Sequence, residues 1–325
     1  MQASFFLVAP LLFVTRHMAL RIVFMGTPEF AVPSLEGLVE AGYTPIAVAT
    51  TPDRPSGRGQ RITESPVKKA ALKVGIDRIL QPESVKDPEF AREVEELRPD
   101  IIVVVAFKIL PPSVYECARL GAFNLHGSLL PRYRGAAPIH HAVLAGDRKT
   151  GVTTFFLKKR VDTGEMIQQR ELDIGPDETT GDVHDRMMHL GAGLVVETVR
   201  LIESGRVETI PQDDSQATPA PKVFRDDARI DWGEPAERVH NLIRGMSPVP
   251  GAFTVHDGVE LKLLRSRVYG GDGPPGTVLE VDDRLVVACG VGTVEIVEVQ
   301  QQGRRRLPAA DFLRGSPLRT GDLLE

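Results

Sequence analysis

PDIIVVVAFKILPPSVYECARLGAFNLHGSLLP, Pro99 to Pro131, holds two apolar runs with a short helical pattern between them. The first run, IIVVVAF at 101–107, is continuous and rich in β-branched residues. That composition suits a central parallel strand covered on both faces. The helical pattern lies near 111–119, and the second run ends in Asn124, Leu125 and His126. Strand, helix, strand in this order is a parallel crossover unit.

The alternation extends both ways. Upstream, RIVFM at 21–25 reads as a buried strand running into Gly26-Thr27-Pro28, and a helix pattern follows with Phe30, Val32, Leu35, Leu38 and Val39. A second strand is expected at 44–50, with helices at 65–75 and 87–97. Downstream, GVTTFFL (151–157) and EMIQQREL (165–172) alternate like strands, and an amphipathic helix is expected over 179–203. The predicted architecture for residues 18–204 is an open, mostly parallel α/β sheet. Such sheets place their sites beyond the carboxyl ends of the strands, where Asn124 and His126 stand. TPDRPSGRGQRITESP, residues 51–66, is a long loop rich in Gly, Pro and Arg, and such loops are functional or disordered. Residues 205–225 read as a linker, with prolines and little periodicity. From 226 a helix pattern around 234–245 gives way to short strands at regular spacing. They predict a second, all-β domain over 226–325, a small barrel.

A chain of 325 residues is long enough for two such domains. Its 42% hydrophobic and 26% charged content is that of a soluble globular protein. The net charge of -5 gives no global basic footprint, so a nucleic-acid partner must be held by local patches. Cys117 and Cys289 lie in apolar surroundings and read as inert core thiols of a reducing compartment. Residues 5–14, FFLVAPLLFV, are too short to span a bilayer. No Lys or Arg precedes them and no small-residue cleavage site follows, so no signal peptide is expected. Translation is expected to start at Met18, directly before the first strand, leaving 1–17 as a non-native extension or a disordered tail.

Asn124 and His126, two apart, share one face of a strand. One reading is structural: two polar residues on a half-exposed strand facing a helix end. The other is chemical, because polar groups between a buried run and a rigid Leu-Leu-Pro turn are costly without partners or a task. KKRVDTGEMI, 158–167, places Asp162 in a tight turn, where an aspartate often only caps its own backbone. Taken together, amide, imidazole and carboxylate suit transfer of an acyl group to an amine. The amide N–H can hold a developing oxyanion. The imidazole can move a proton or donate to that oxyanion. The carboxylate can orient the imidazole, raise its pKa, or accept the proton of the attacking amine. No serine or cysteine nucleophile is needed, since the amine attacks.

FNLHGSLLPRYRGAAPI, with DTGEMI downstream, is similar to the signature of the folate-dependent formyltransferases. RIVFMGTPEFAVPSL, TTPDRPSGRGQRITESPVK, TGVTTFFL and RIDWGEPAERVHNLIRGMSPVPGAF narrow the resemblance to the branch of that family acting on methionyl-tRNA. It runs from about residue 20 to about 313. The resemblance implies a Rossmann-like domain that binds 10-formyltetrahydrofolate and a barrel resembling an OB-fold that helps hold tRNA. The implied activity is formylation of the α-amino group of methionyl-tRNA on the initiator tRNA. The family's catalytic Asn, His and Asp fall on Asn124, His126 and Asp162. Its folate-contacting segment falls on Ser128, Leu129, Leu130 and Pro131, with pterin contacts from Phe107, Ile109 and Leu110. Its arginine loop, which approaches the acceptor end of the tRNA, carries Arg54, Arg58 and Arg61. The resemblance brings no metal and no membrane partner, and a cytoplasmic monomer is expected. The chain departs from the family in three places. AFKILP, 106–111, is one residue shorter than usual, Gln60 stands where some members have lysine, and Pro248-Val249-Pro250 replaces Pro-Trp-Pro.

The segment from Arg225 to Glu325 holds thirteen Lys and Arg against sixteen Asp and Glu, so it is not a basic domain. Its positive charge is local, at Arg304-Arg305-Arg306, with Arg265 and Arg267 on one face of a strand. An arginine run is commonly a solvated hairpin end; joined to the loop arginines it makes a two-point clamp on phosphates. Gly26-Thr27-Pro28 lacks a dinucleotide fingerprint. His140, His141, His184 and His189 lack metal-ligand spacing and read as surface or core histidines. Trp232 and Phe253 read as core anchors of the second domain. Three rival functions stay open. They are formyl transfer to another amine, such as a glycinamide ribonucleotide or an amino sugar, hydrolysis of formyltetrahydrofolate by the same trio, and a catalytically idle tRNA-binding module. The arginine loop and second domain favour the tRNA acceptor, and the intact trio disfavours an idle module.

Overall fold

Val23, Met25, Ile102 and Val104 pack on one side of a sheet, and Ile22, Phe24, Ile101 and Val103 on the other. Successive side chains leave opposite faces of a strand, so a strand covered on both sides needs apolar residues at every position. The continuous runs of the sequence are that requirement written out. The computed structural model describes residues 20–56 and 61–325. The expected start at Met18, the segment 1–17, Arg58 and Gln60 lie outside those residues.

The sheet has seven strands: β1 Ile22–Gly26, β2 Ala47–Ala49, β3 Ile79–Leu80, β4 Ile101–Val105, β5 Ala122–His126, β6 Lys149–Phe156 and β7 Met166–Asp173. Their order is β7-β6-β5-β4-β1-β2-β3. β1 to β5 are parallel, while β6 and β7 run antiparallel at one edge. The order reverses between β1 and β4, the crevice where open α/β sheets bind ligands.

The helices are α1 Val32–Glu40, α2 Pro66–Lys73, α3 Pro88–Glu96, α4 Pro112–Tyr115, α5 Pro138–Leu144 and α6 Thr180–Glu203. α2 to α5 each begin with proline, whose missing N–H is no loss in a first turn. Ser65 and Asp87 cap α2 and α3 by accepting from the backbone N–H of Lys68 and Glu89. α6 lies on β6 and β7 and against α1. Part of the loop at 51–66 forms a short antiparallel hairpin, Arg54–Ser56 with Arg61–Thr63.

The second domain holds α7 Ala236–Gly245, β8 Ala252–His256, β9 Val259–Tyr269, β10 Val278–Glu280, β11 Leu285–Ala288, β12 Thr293–Gln301, β13 Leu307–Pro308 and α8 Ala309–Leu313. The order β8-β9-β12-β11-β10, with β13 on β12, makes an antiparallel half-barrel, OB-like in outline. The segment 322–325 fills the gap between its edge strands. Val255 and Glu325 exchange backbone hydrogen bonds on one side, and Val278 donates to the Asp322 carbonyl on the other. Trp232 and Phe253 belong to this domain's core, as their apolar surroundings predict, and the Trp232 indole N–H donates to Thr254 Oγ1 at 3.0 Å. Burial pushes the thiols of Cys117 and Cys289 up, that of Cys289 to about 11, so both are inert. Among the described residues no helix is long and apolar enough to cross a membrane.

Two contacts of this architecture give measurable consequences. A Cβ on Gly191 of α6 would meet Leu125 Cδ2 at 2.6 Å, so only glycine lets α6 sit this close to β5. A Cβ on Gly193 would meet nothing within 4 Å. Gly191→Ala is expected to cost about 1–3 kcal/mol in urea unfolding by overpacking. Gly193→Ala should be stabilising by up to about 1 kcal/mol through helix propensity.

At the domain junction His240 is buried, donating from Nε2 to the Pro176 carbonyl at 2.9 Å and accepting at Nδ1 from the Ser266 hydroxyl. Burial, outweighing the pull of that carbonyl, pushes its pKa below the ordinary 6.5. Between the folded and unfolded values the unfolded chain binds more protons, so stability falls as pH drops below 6.5. The thermal midpoint should therefore fall between pH 7 and pH 5.5, and His240→Gln should flatten that dependence.

Candidate active site

β5 carries Phe123 and Leu125 into the core, which turns Asn124 and His126 to the opposite face. His126 is 6% exposed, yet its ring is fully oriented. Its Nε2–H donates to the Tyr133 carbonyl at 2.8 Å. In the neutral ring the lone pair therefore sits on Nδ1, which faces Asp162 Oδ2 at 3.9 Å. That distance is an electrostatic contact, too long for a hydrogen bond. The ring is thus held by a backbone carbonyl, and the carboxylate expected to orient it stands slightly apart. The Asn124 carboxamide makes no side-chain hydrogen bond among the described residues. It is free to donate into the cleft that it lines.

Asp162 owes its position to a turn that few sequences allow. Its φ is +53°, the left-handed region that aspartate tolerates. Two residues on, Gly164 packs so closely that a Cβ there would lie 1.6 Å from the Phe156 carbonyl oxygen. Gln212 clamps the turn, donating to the carbonyls of Asp162 at 3.0 Å and Gly164 at 2.8 Å. Asp162 Oδ2 accepts from the Gly135 N–H at 2.9 Å. Gly135 pairs in turn with Ala220, and the Tyr133 N–H donates to Thr218 Oγ1 at 2.8 Å. The linker segment is therefore stitched into the site rather than slack beside it.

A cleft of about 540 Å3 opens over these groups, at the β1–β4 switch point. Asn124, His126 and Asp162 line it, with Phe30, Phe107, Ile109, Ile139, His140, Thr180 and His184. A smaller hollow of about 100 Å3 adjoins it across Asn124 and Asp162, walled by Phe107, Leu110, Tyr115 and Phe155, with Lys108, Lys158 and Lys159. Asn124 and Asp162 thus stand between two cavities, with His126 on the wall of the larger one. Ala106, which lines the larger one, holds φ +47° directly after β4, an unusual conformation for a residue with a Cβ.

The other expected site residues divide. Phe107 and Ile109 line both cavities, and Leu110 lines the smaller. Ser128, Leu129, Leu130 and Pro131 line neither. Ser128 is fully buried and donates to the Arg132 carbonyl at 2.6 Å. The Leu130 N–H donates to Thr153 Oγ1, and its carbonyl accepts from Gln169. This segment is a braced turn below the site. Arg54 is exposed on the hairpin and Arg61 lies on its second strand, while Arg58 is outside the described residues. Arg304, Arg305 and Arg306 are exposed at the turn between β12 and β13. Arg265 and Arg267, expected to add to that patch, are engaged with acidic residues instead: Arg265 with Asp182 and Glu298, Arg267 with Asp177.

His140 and His184, read from the sequence as surface or core residues, line the cleft, and the His184 ring lies 5.3 Å from that of Phe30. Burial pushes the His140 pKa below the ordinary 6.5. The four-residue spacing of Thr180 and His184 marks one helix face, but nothing in the sequence says which face meets the cleft. Gln212 gave no signal, since its role depends on a contact 50 residues away.

Comparison with known proteins bears on this geometry. Residues 20–199 match the formyl transferase family, and residues 222–317 match the formyl transferase C-terminal domain. A methionyl-tRNA formyltransferase of Caldanaerobacter subterraneus is 45% identical over 310 residues, covering 94% of this chain and 100% of that protein. One from Chlorobium luteolum is 49% identical over 304 residues, covering 91% and 96%. The N-formyltransferase from Helicobacter canadensis, solved with folinic acid and dTDP-3-aminofucose, has a TM-score of 0.66 at 19% identity, covering 87% of this chain and 99% of that one. HypX from Aquifex aeolicus, solved with tetrahydrofolic acid, has a TM-score of 0.64 at 19% identity, covering 95% and 51%. The structural likenesses speak for the fold. The sequence relatives, matched along nearly their whole length, carry the assignment: this chain belongs to the methionyl-tRNA formyltransferase family.

Proposed function

We infer that this chain transfers the formyl group of 10-formyltetrahydrofolate to the α-amino group of methionyl-tRNA on the initiator tRNA, in translation initiation. The observation that carries the reading is the placement of Asn124 and Asp162 between two cavities, with His126 beside them. Two substrates can meet across them. The smaller hollow suits the pterin, with apolar walls and with Lys159 available to its carboxylate tail, while Lys158 is paired with Glu165 and Lys108 donates to the carbonyls of Pro82 and Glu83. Phe107, Ile109 and Leu110 would touch that ring, while Ser128, Leu129, Leu130 and Pro131 would brace the strand end beneath it. The larger cleft then receives the aminoacyl end, its apolar wall at Phe30 and Ile139 facing the methionine side chain.

The roles follow from the atoms available. Asn124 offers its amide N–H to the oxygen of the formyl group as charge develops there. His126 keeps Nε2–H on the Tyr133 carbonyl, so Nδ1 is the atom that carries or delivers a proton. Asp162, with one oxygen fixed by Gly135, accepts the proton that the attacking amine loses. The folate supplies the activated one-carbon unit. The C–N10 bond breaks as the C–Nα bond forms, and the proton leaving the amine is matched by one returned to N10. Arg54, Arg58 and Arg61 on one side and Arg304, Arg305 and Arg306 on the other would hold acceptor-stem phosphates. One chain supplies all three reacting side chains, which supports action as a monomer, in the cytoplasm where initiator tRNA is charged.

The test is an assay with initiator and elongator methionyl-tRNA in which formyl-tRNA and free formate are both followed. Formyl-tRNA from the initiator is expected; formate alone would place the chain among hydrolases. Asp162→Asn and Asn124→Ala should lower kcat by about 10²–10⁴ with little change in KM. Replacing Arg304, Arg305 and Arg306 with alanine should raise KM for tRNA and flatten its salt dependence by up to about three contacts' worth.

A further inference from the structure

The first turn of α6 belongs to the first domain by sequence, but the second domain grips it. Thr179 and Asp182 form a capping box: the Thr179 N–H and hydroxyl donate to Asp182 Oδ2 at 2.9 and 2.8 Å. The other carboxylate oxygen, Oδ1, accepts from Arg265 Nη2 of β9 at 2.6 Å. Around this ion pair the backbone is held as well. The Thr180 hydroxyl donates to the Gly245 carbonyl at 2.7 Å, and the Gly181 N–H to the Ser247 carbonyl at 3.1 Å. A Cβ on Gly181 would stand 2.8 Å from Pro248 Cδ, so the proline ring packs directly on the α6 backbone here. Burial alone would raise the Asp182 pKa, and the bonds from Arg265 and Thr179 outweigh it to hold the carboxylate charged.

This turn is also a wall of the cleft. Thr180 and His184, one turn apart, line the cavity, while the Thr180 hydroxyl, the Gly181 N–H and the Asp182 carboxylate bond the second domain. A shift of the turn therefore moves the His184 ring relative to Phe30, against which it packs. We propose that Arg265 is a positioning residue for formyl transfer: through Asp182 it sets the acceptor-side wall, so that the second domain shapes the cavity as well as holding tRNA. The proposal rests on assigning the larger cleft to the aminoacyl end. Arg265 touches no reacting atom, and its guanidinium is already committed to Asp182 and Glu298, which leaves it ill suited to a phosphate.

The experiment compares Arg265→Met, Arg265→Lys and Asp182→Asn with the parent chain. Three readouts are taken: kcat and KM for each substrate, the salt dependence of KM for methionyl-tRNA, and the NMR signal of the His184 imidazole without substrates. Misplaced walls are costly in transfer reactions. Arg265→Met and Asp182→Asn should each lower kcat/KM for methionyl-tRNA about tenfold, leave KM for the folate unchanged and shift the His184 signal. Arg265→Lys should recover part of the loss, and the salt dependence should stay that of the parent. A salt dependence reduced by one phosphate contact in Arg265→Met, with Asp182→Asn fully active, would make Arg265 a tRNA ligand and overturn the proposal. A lower thermal midpoint with parental kinetics and an unmoved His184 signal would reduce the pair to a structural tie and also overturn it. Failure of the functional reading shows separately, as absence of formyl-tRNA with the parent chain.

Discussion

The hydrogen bond from His126 Nε2 to the Tyr133 carbonyl is the constraint on which the reaction centre depends. It fixes which ring nitrogen holds the proton in the neutral state, and so which one is free to work. To bring the Tyr133 carbonyl there, the chain turns back sharply after β5, with a cis bond at Leu130-Pro131 and Tyr133 itself at φ +61°. A residue with a Cβ at that φ is costly and persists only where its surroundings over-determine it. They do. Tyr133 is held at its N–H by Thr218 and at its hydroxyl by Asp147, and Thr153 ties the turn to β6. Burial first, and then the Asp147 carboxylate, push the Tyr133 hydroxyl pKa up to about 12, so this anchor stays a donor.

From the same turn the second reacting group is set. Two residues after Tyr133, Gly135 donates its N–H to Asp162, and its φ of +132° with the Ala220 carbonyl oxygen 2.4 Å from any Cβ restricts the position to glycine. The imidazole and the carboxylate are thus placed by neighbouring peptide groups of one braced loop. That accounts for a 3.9 Å gap between them without a direct bond. Each is held from behind, and the space between is left to the reacting groups. Precise support of this kind is what acyl transfer to a free amine needs, because no covalent intermediate with the protein divides the reaction into easier steps.

Charge is spread in the same economical way. The chain is net acidic, yet it displays Arg54 on the hairpin after β2 and Arg304 to Arg306 at the turn after β12. Other arginines that look equivalent in sequence are spent internally. Arg265 and Arg267 face Asp182 and Asp177, and Arg134 bonds Gln212 and Asp214. A polyanion therefore meets local patches, and the rest of the surface repels it.

The fold was legible because its signals are local. Unbroken β-branched runs announced buried parallel strands, apolar periodicity announced the helices, and strands at regular spacing after 250 announced the second domain. The Asn-x-His pair at a strand end and the Asp-Thr-Gly turn were legible too, since each is a short pattern with its own chemistry. Tertiary structure alone decided the rest. It turned the faces of α5 and α6 that carry His140 and His184 toward the cleft, made Gln212 a clamp on a turn distant in sequence, and made Ser128 to Pro131 a brace. It also paired Arg265 with Asp182 across 83 residues. The reason is physical: periodicity fixes which residues share a face, but only the packing of one element on another fixes what that face meets.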